Sequence, residues 1–115
     1  MRILLVHNFY QQAGGEDAVF ANEHALLAAH GHDVLKLAIT NDAVRGAFRV
    51  LKTALATPYS AASRRRMAAS LAEHEPDLVH VHNFFPLFTP SVFDACLEAG
   101  VASVMTLHNY QLICP

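Results

Sequence analysis

Short apolar runs alternate with helix-like stretches along the whole 115-residue chain. Arg2-Ile3-Leu4-Leu5-Val6-His7 is continuously apolar at its centre rather than at every second position, the pattern of a strand covered on both faces. Asn8 to Gly15 reads as a loop. Glu16 and Asp17 then stand where a helix's first turn favours acids, because its free N–H groups carry partial positive charge. In that helix Val19 shares a face with Leu26, and Phe20 with Leu27, at i, i+7. Gly31 is placed to end it in a left-handed conformation. Asp33 to Ile39 predicts a second strand, less strictly patterned and suited to a sheet edge. Asn41-Asp42 can cap a helix over 43–56, which Thr57-Pro58 breaks. A further helix is predicted from about Ser60 to Glu73, with Pro76 closing the region. Leu78 to His82 is a third strand. Thr89-Pro90-Ser91 opens a helix that runs to Ala99 and stops at Gly100, and Val101 to Leu107 is a fourth strand.

Strands alternating with helices predict an α/β fold, a Rossmann-like parallel sheet with right-handed crossovers and helices on both faces. If the second strand lies on one side of the first and the third on the other, the order is 2-1-3-4. A topological switch point then falls between strands 1 and 3, and ligands of open α/β sheets bind beyond the carboxyl ends of the strands there. The polar and unusual residues gather at those ends: His7 to Glu16, His82 to Phe88, and His108 onward.

Composition narrows the function classes. A chain that is 53% apolar and 16% charged can bury enough surface to fold, which excludes disorder. Eight Lys and Arg against ten Asp and Glu leave a net charge of −2, so nucleic acid is not an expected partner. Two cysteines, Cys96 and Cys114, make no disulfide framework. The run Ile3–Val6 is shorter than the ~7–15 residues of a secretory signal or the ~20 of a membrane span. A cytoplasmic protein with reduced thiols is therefore expected. Six of the basic residues (Arg45, Arg49, Lys52, Arg64, Arg65, Arg66) lie in a stretch without acids between Ala43 and Leu71. Such a surface either touches anionic lipid at the inner face of a membrane or is a solvated face.

Four groups of residues can carry chemistry. Gly14-Gly15 follows strand 1 and opens a helix, so the backbone can approach an anion such as a diphosphate; the alternative is a plain turn. Glu16 beside it can accept hydrogen bonds from ligand hydroxyls or merely favour the helix start. The spacing is neither the G-x-G-x-x-G fingerprint nor a P-loop, which disfavours a nucleotide-dependent oxidoreductase. His80 and His82 share one face of strand 3, but two ligands make no metal site, so no metal is expected. His82, at the carboxyl end with Asn83, is suited equally to a ligand contact or a structural hydrogen bond. The aromatic stretch Asn83–Phe88 covers either a ligand or the core. His108, in Thr106-Leu107-His108-Asn109-Tyr110, is suited to proton handling or to binding a sugar hydroxyl; the alternative is a core histidine bonded to a carbonyl.

Three of these motifs in this order resemble the N-terminal domain of a GT-B-fold glycosyltransferase of family 4: Gly14-Gly15-Glu16, Leu78-Val79-His80-Val81-His82-Asn83, and Thr106 to Pro115. The resemblance runs from Met1 to Pro115. It implies an acceptor-binding domain that works with a C-terminal domain binding a nucleotide-sugar donor. The implied reaction is transfer of the sugar to a carbohydrate or lipid-linked acceptor with retention, without metal or other cofactor. Gly14 and Gly15 would lie near the donor diphosphate and the acceptor. His108 would contact the transferred sugar and help stabilise an oxocarbenium-like transition state, with Glu16, His82, Asn83 and Asn109 as supporting residues. The family often has Asp after the cleft histidine, where this chain has Asn109, so a charge that would orient His108 is missing.

The chain stops at Pro115, before the donor-binding half and its paired-glutamate motif. Little or no transferase activity is therefore expected of it alone. It would be a fragment or one half of a split enzyme that docks with a separate donor-domain chain. The alternative is a non-catalytic binding module that docks to a partner protein or membrane. A sheet that ends at strand 4 is also expected to expose an apolar edge and to associate.

Overall fold

The computed structural model describes residues 1–9, 14–40, 59–83 and 89–108. Strands β1 (Arg2–Phe9), β2 (Asp33–Thr40), β3 (Leu78–Asn83) and β4 (Ala102–Met105) alternate with helices α1 (Gly15–Ala29), α2 (Ala61–His74) and α3 (Ser91–Ala99). All strand pairs are parallel and the order is β2-β1-β3-β4, so the expected switch point between β1 and β3 is present. The helix expected over 43–56, with Arg45, Arg49 and Lys52, lies outside the described residues, as do Phe84–Phe88, Asn109, Tyr110 and Cys114.

The unbroken apolar run of β1 is explained by its two neighbours. Leu4 and Val6 point to one face and pack with Val79 and Val81 of β3, Met67 and Leu71 of α2, and Val92, Ala95 and Cys96 of α3. Ile3 and Leu5 point to the other face, against Phe20 and Leu27 of α1. Every residue from Ile3 to Asn8 is buried. Of the two candidate faces of α1, the one carrying Phe20 and Leu27 docks, while Val19 and Leu26 are exposed.

Helix ends follow local chemistry. Gly31 and Gly100 take the left-handed conformation at φ 84° and 68°. Glu75 does the same at φ 45° and donates its N–H to Leu71 O at 2.9 Å, because Pro76 next to it disfavours a helical residue there. At the amino ends of the strands, Arg2 joins three segments: its N–H donates to Asp77, its Nε pairs with Asp33 and its Nη1 donates to His74 O.

Two strand boundaries differ from expectation, and both matter for the site. β1 continues to Phe9 rather than ending at His7, because β2 pairs with it throughout that length. His7 and Asn8 are thus strand residues. β4 has one neighbour and stops at Met105, which leaves Thr106 to His108 beyond the sheet. Val104 and Leu107 are 46% and 57% exposed.

Candidate functional site

Parallel strands β1 and β3 run in register from Ile3↔Leu78 to Val6↔Val81, and then His7 pairs with Asn83. His82 is the extra residue, a bulge at the carboxyl end of the strand. Bulges re-aim a side chain and are over-represented beside active sites. Here the ring of His82 stacks on that of His80, with centroids 4.4 Å apart.

The chain after β4 completes the column. Thr106 N–H donates to Val81 O at 3.0 Å, which holds this segment against β3 beyond the last strand pair. His108 arrives beside His82, the rings stacked at 5.4 Å and His82 Nδ1 lying 3.2 Å from His108 Nε2. His80 Nε2 meets the Thr106 hydroxyl at 2.8 Å. Three imidazoles from two chain segments thus form one stack.

Helix α1 closes this stack from one side. Phe20 sets its edge against His82 and stacks on His7, with centroids 5.5 and 4.8 Å away. Glu23, three residues on and so on the same helix face, places Oε1 at 2.5 Å from His80 Nδ1 and Oε2 at 3.2 Å from His82 Nε2. At the start of the helix, Asp17 accepts from Gly14 N–H at 3.1 Å, half of a capping box. Its other oxygen lies 2.7 Å from His7 Nε2. A continuous path therefore leads from Gly14 through Asp17 and His7 to His82 and His108, the rings of His7 and His82 being 6.4 Å apart.

Burial sets the protonation of the centre. His82 is 1% exposed, and its pKa is pushed down to about 4, first by burial and then by the neighbouring His80, His108 and His7. It is neutral at pH 7. His82 Nε2 makes no hydrogen bond among the described residues, although Glu23 is near. Its Nδ1 instead engages His108 Nε2. On the opposite face of the sheet, burial raises the Cys96 thiol to about 11, so it stays a thiol within the core.

Of the residues singled out in the sequence, His82 and His108 are in direct contact, and Gly14 is tied to them through Asp17 and His7. Asn83 continues β3 opposite His7. Glu16 is half-buried in the first turn of α1. Gly14 has an ordinary extended backbone, φ −116°. A Cβ on it would meet only Glu16 Cγ, at 3.8 Å, and one on Gly15 would meet nothing within 4 Å. Neither glycine is required by the chain's own described packing. Sequence reasoning missed Glu23 and the double role of Asp17, and it named His7 and Thr106 only within their segments. A carboxylate at i+3 from Phe20, on the buried stripe of α1, was the signal for Glu23. The basic surface is partly neutralised, since Arg64 pairs with Glu98. An open groove of about 520 Å³ between α2 and α3, reaching Pro76 and Val101, lies at the amino ends of the strands, away from the histidines.

Residues 10–112, most of the chain, match the sequence profile of Glycosyltransferase Family 4. The chain belongs to glycosyltransferase family 4. No curated protein and no solved structure matches it. Family membership implies a sugar donor and an acceptor as substrates. Within this family 4 chain, no helix among the described residues is long and apolar enough to cross a membrane.

Proposed function

We propose that this family 4 domain takes part in a retaining transfer, in which a sugar moves from a nucleotide sugar to a carbohydrate or lipid-linked acceptor. In that reaction the C1–O bond to the diphosphate breaks, and the acceptor oxygen bonds to C1 on the same face of the ring while its proton passes to the departing diphosphate. The cleft is the space beyond the carboxyl ends of β1, β3 and β4, and the domain is the N-terminal, acceptor-side half of a GT-B arrangement. One observation carries the reading: His108 Nε2 lies 3.2 Å from the Nδ1 of a fully buried His82, at the switch point of the sheet.

The roles follow from that contact. His82 orients the ring of His108, so that its remaining ring nitrogen hydrogen-bonds to a hydroxyl of the transferred sugar. That contact holds the sugar in a fixed position while the bond at C1 breaks. Gly14 and Gly15 leave room for a diphosphate at the N-terminus of α1, where free N–H groups favour an anion. Glu16, Asn83 and Asn109 act as supporting substrate contacts. Membrane contact through Arg45, Arg49, Lys52, Arg64, Arg65 and Arg66 is the weaker reading of the basic residues, because Arg64 is already paired with Glu98. A cytoplasmic location accompanies this reading.

A transfer assay over a panel of nucleotide sugars and acceptors tests the proposal, with the anomeric configuration of the product read by NMR. Retention is expected in any polypeptide carrying residues 1–115 that turns over, with little or no turnover by these residues alone. An inverted product overturns the retaining reading, and robust transfer by residues 1–115 overturns the second expectation.

A further inference from the structure

We propose that Glu23, His80 and His82 form a binding site for one divalent transition-metal ion of the zinc class, on the α1 side of the sheet beside the histidine stack. Each residue offers one ligand atom, and these atoms lie within 4.8 Å of one another. The donor set is two imidazoles and a carboxylate, the composition of three-ligand zinc sites that keep a fourth position open.

Two observations point to a cation rather than to a self-contained hydrogen-bond cluster. The first is the buried Nε2 of His82, which faces Glu23 Oε2 at 3.2 Å and yet makes no hydrogen bond among the described residues. An ion between them would engage both atoms. The second is the set of contacts on the far sides of both rings. His82 Nδ1 is engaged by His108 Nε2, and His80 Nε2 by the Thr106 hydroxyl at 2.8 Å. Metal-bound histidines characteristically donate their other N–H to such a partner, which fixes the tautomer and ring orientation. A hydroxyl both donates and accepts, so Thr106 serves His80 in either tautomer and leaves its Nδ1 free to ligate.

The site is also reachable. His82 is closed off from solvent, but the side chains of His80 and Glu23 are 15% and 24% exposed. An ion enters from their side, and a water completes its coordination there. Glu23 Oε1 now lies 2.5 Å from His80 Nδ1. Ligand atoms ~2.0–2.1 Å from a tetrahedral ion stand roughly 3.4 Å apart, so the carboxylate withdraws by about 1 Å on binding. Its partial exposure leaves room for that.

The test is made on the whole 115-residue chain, stripped with a chelator and dialysed against Zn²⁺. One equivalent of zinc retained per chain is expected, with a higher Tm than the stripped protein. Co²⁺ in its place is expected to give the visible absorption of a four- or five-coordinate ion, and Mg²⁺ is not retained. Glu23→Gln and His80→Gln, at partly exposed positions, are expected to fold and to lose stoichiometric uptake. Thr106→Val touches no ligand atom and is expected to weaken binding roughly 10- to 100-fold. A double substitution of the exposed His30 and the half-buried His24 by Gln, away from the site, leaves uptake unchanged. Failure of the folded wild-type chain to retain zinc overturns the proposal. So does uptake by Glu23→Gln and His80→Gln equal to that of the wild type, which would place the ion elsewhere. Transfer activity does not enter any of these readouts.

Discussion

Replacing His108 by alanine is expected to lower kcat by roughly 10²-fold, the effect of letting a reacting sugar shift by about 1 Å. KM should move little, because a contact that strengthens in the transition state contributes mainly to turnover. His108→Gln retains a donor and is expected to recover part of the loss. The measurement is steady-state transfer by a polypeptide that carries residues 1–115 and turns over. Urea unfolding of each variant separates loss of a catalytic contact from loss of fold. An unchanged kcat in a folded His108→Ala protein would remove this residue from the reaction. The reason for expecting a large effect is structural. His108 is held by a ring stack at 5.4 Å and by a hydrogen-bond contact to a residue that cannot move without opening the core.

Acidification is expected to destabilise the metal-free chain by about 3 kcal/mol between pH 6.5 and 4, from the shift of His82 alone at ~1.36 kcal/mol per pKa unit. The sign follows from proton uptake. The folded-state pKa of about 4 lies below the ordinary 6.5, so across this window the unfolded chain binds a proton that the folded chain refuses. Stability is fully present above pH 6.5 and is lost as pH falls toward 4. The groups facing the ring are His80 on β3, His7 on β1, His108 beyond β4 and Glu23 on α1. Three of these disfavour a charge on His82. The attraction of Glu23 is shared with His80, which it approaches more closely. Urea unfolding at pH 7 and pH 4.5 in the presence of a chelator reads the effect, and a folded His82→Gln variant should show a shallower loss. Equal stability of the wild-type chain at both pH values would contradict the buried, neutral imidazole.

The sheet was readable from the chain because it depends on local patterns. Ile3 to Val6 is apolar without interruption, and only a central strand with helices on both sides buries such a run. Gly31 and Gly100 mark helix ends because a left-handed residue is needed there. The site was readable only in part. His82 and His108 stand out as histidines at strand ends, but the bulge that presses His82 against its neighbours arises from a register shift between β1 and β3, which no single segment encodes. Glu23 was passed over because helix periodicity is read through apolar residues. Its carboxylate occupies a position on the buried stripe of α1 that an apolar side chain would ordinarily fill. Asn8 is polar and suggested the start of a loop, whereas pairing with β2 carries β1 on to Phe9. The view that His80 and His82 are two ligands without a third rested on the same omission.

We propose that one sugar-binding cleft lies beyond the carboxyl ends of β1, β3 and β4. Amide and imidazole chemical shifts of the isotopically labelled chain, followed while nucleotide sugars, nucleoside diphosphates and candidate acceptors are added, test it most directly. Saturable changes at Gly14, Gly15, Glu16, His82 and His108 with one of these ligands are the predicted result. Changes confined to the groove between α2 and α3, or a histidine stack that responds to none of them, would contradict it.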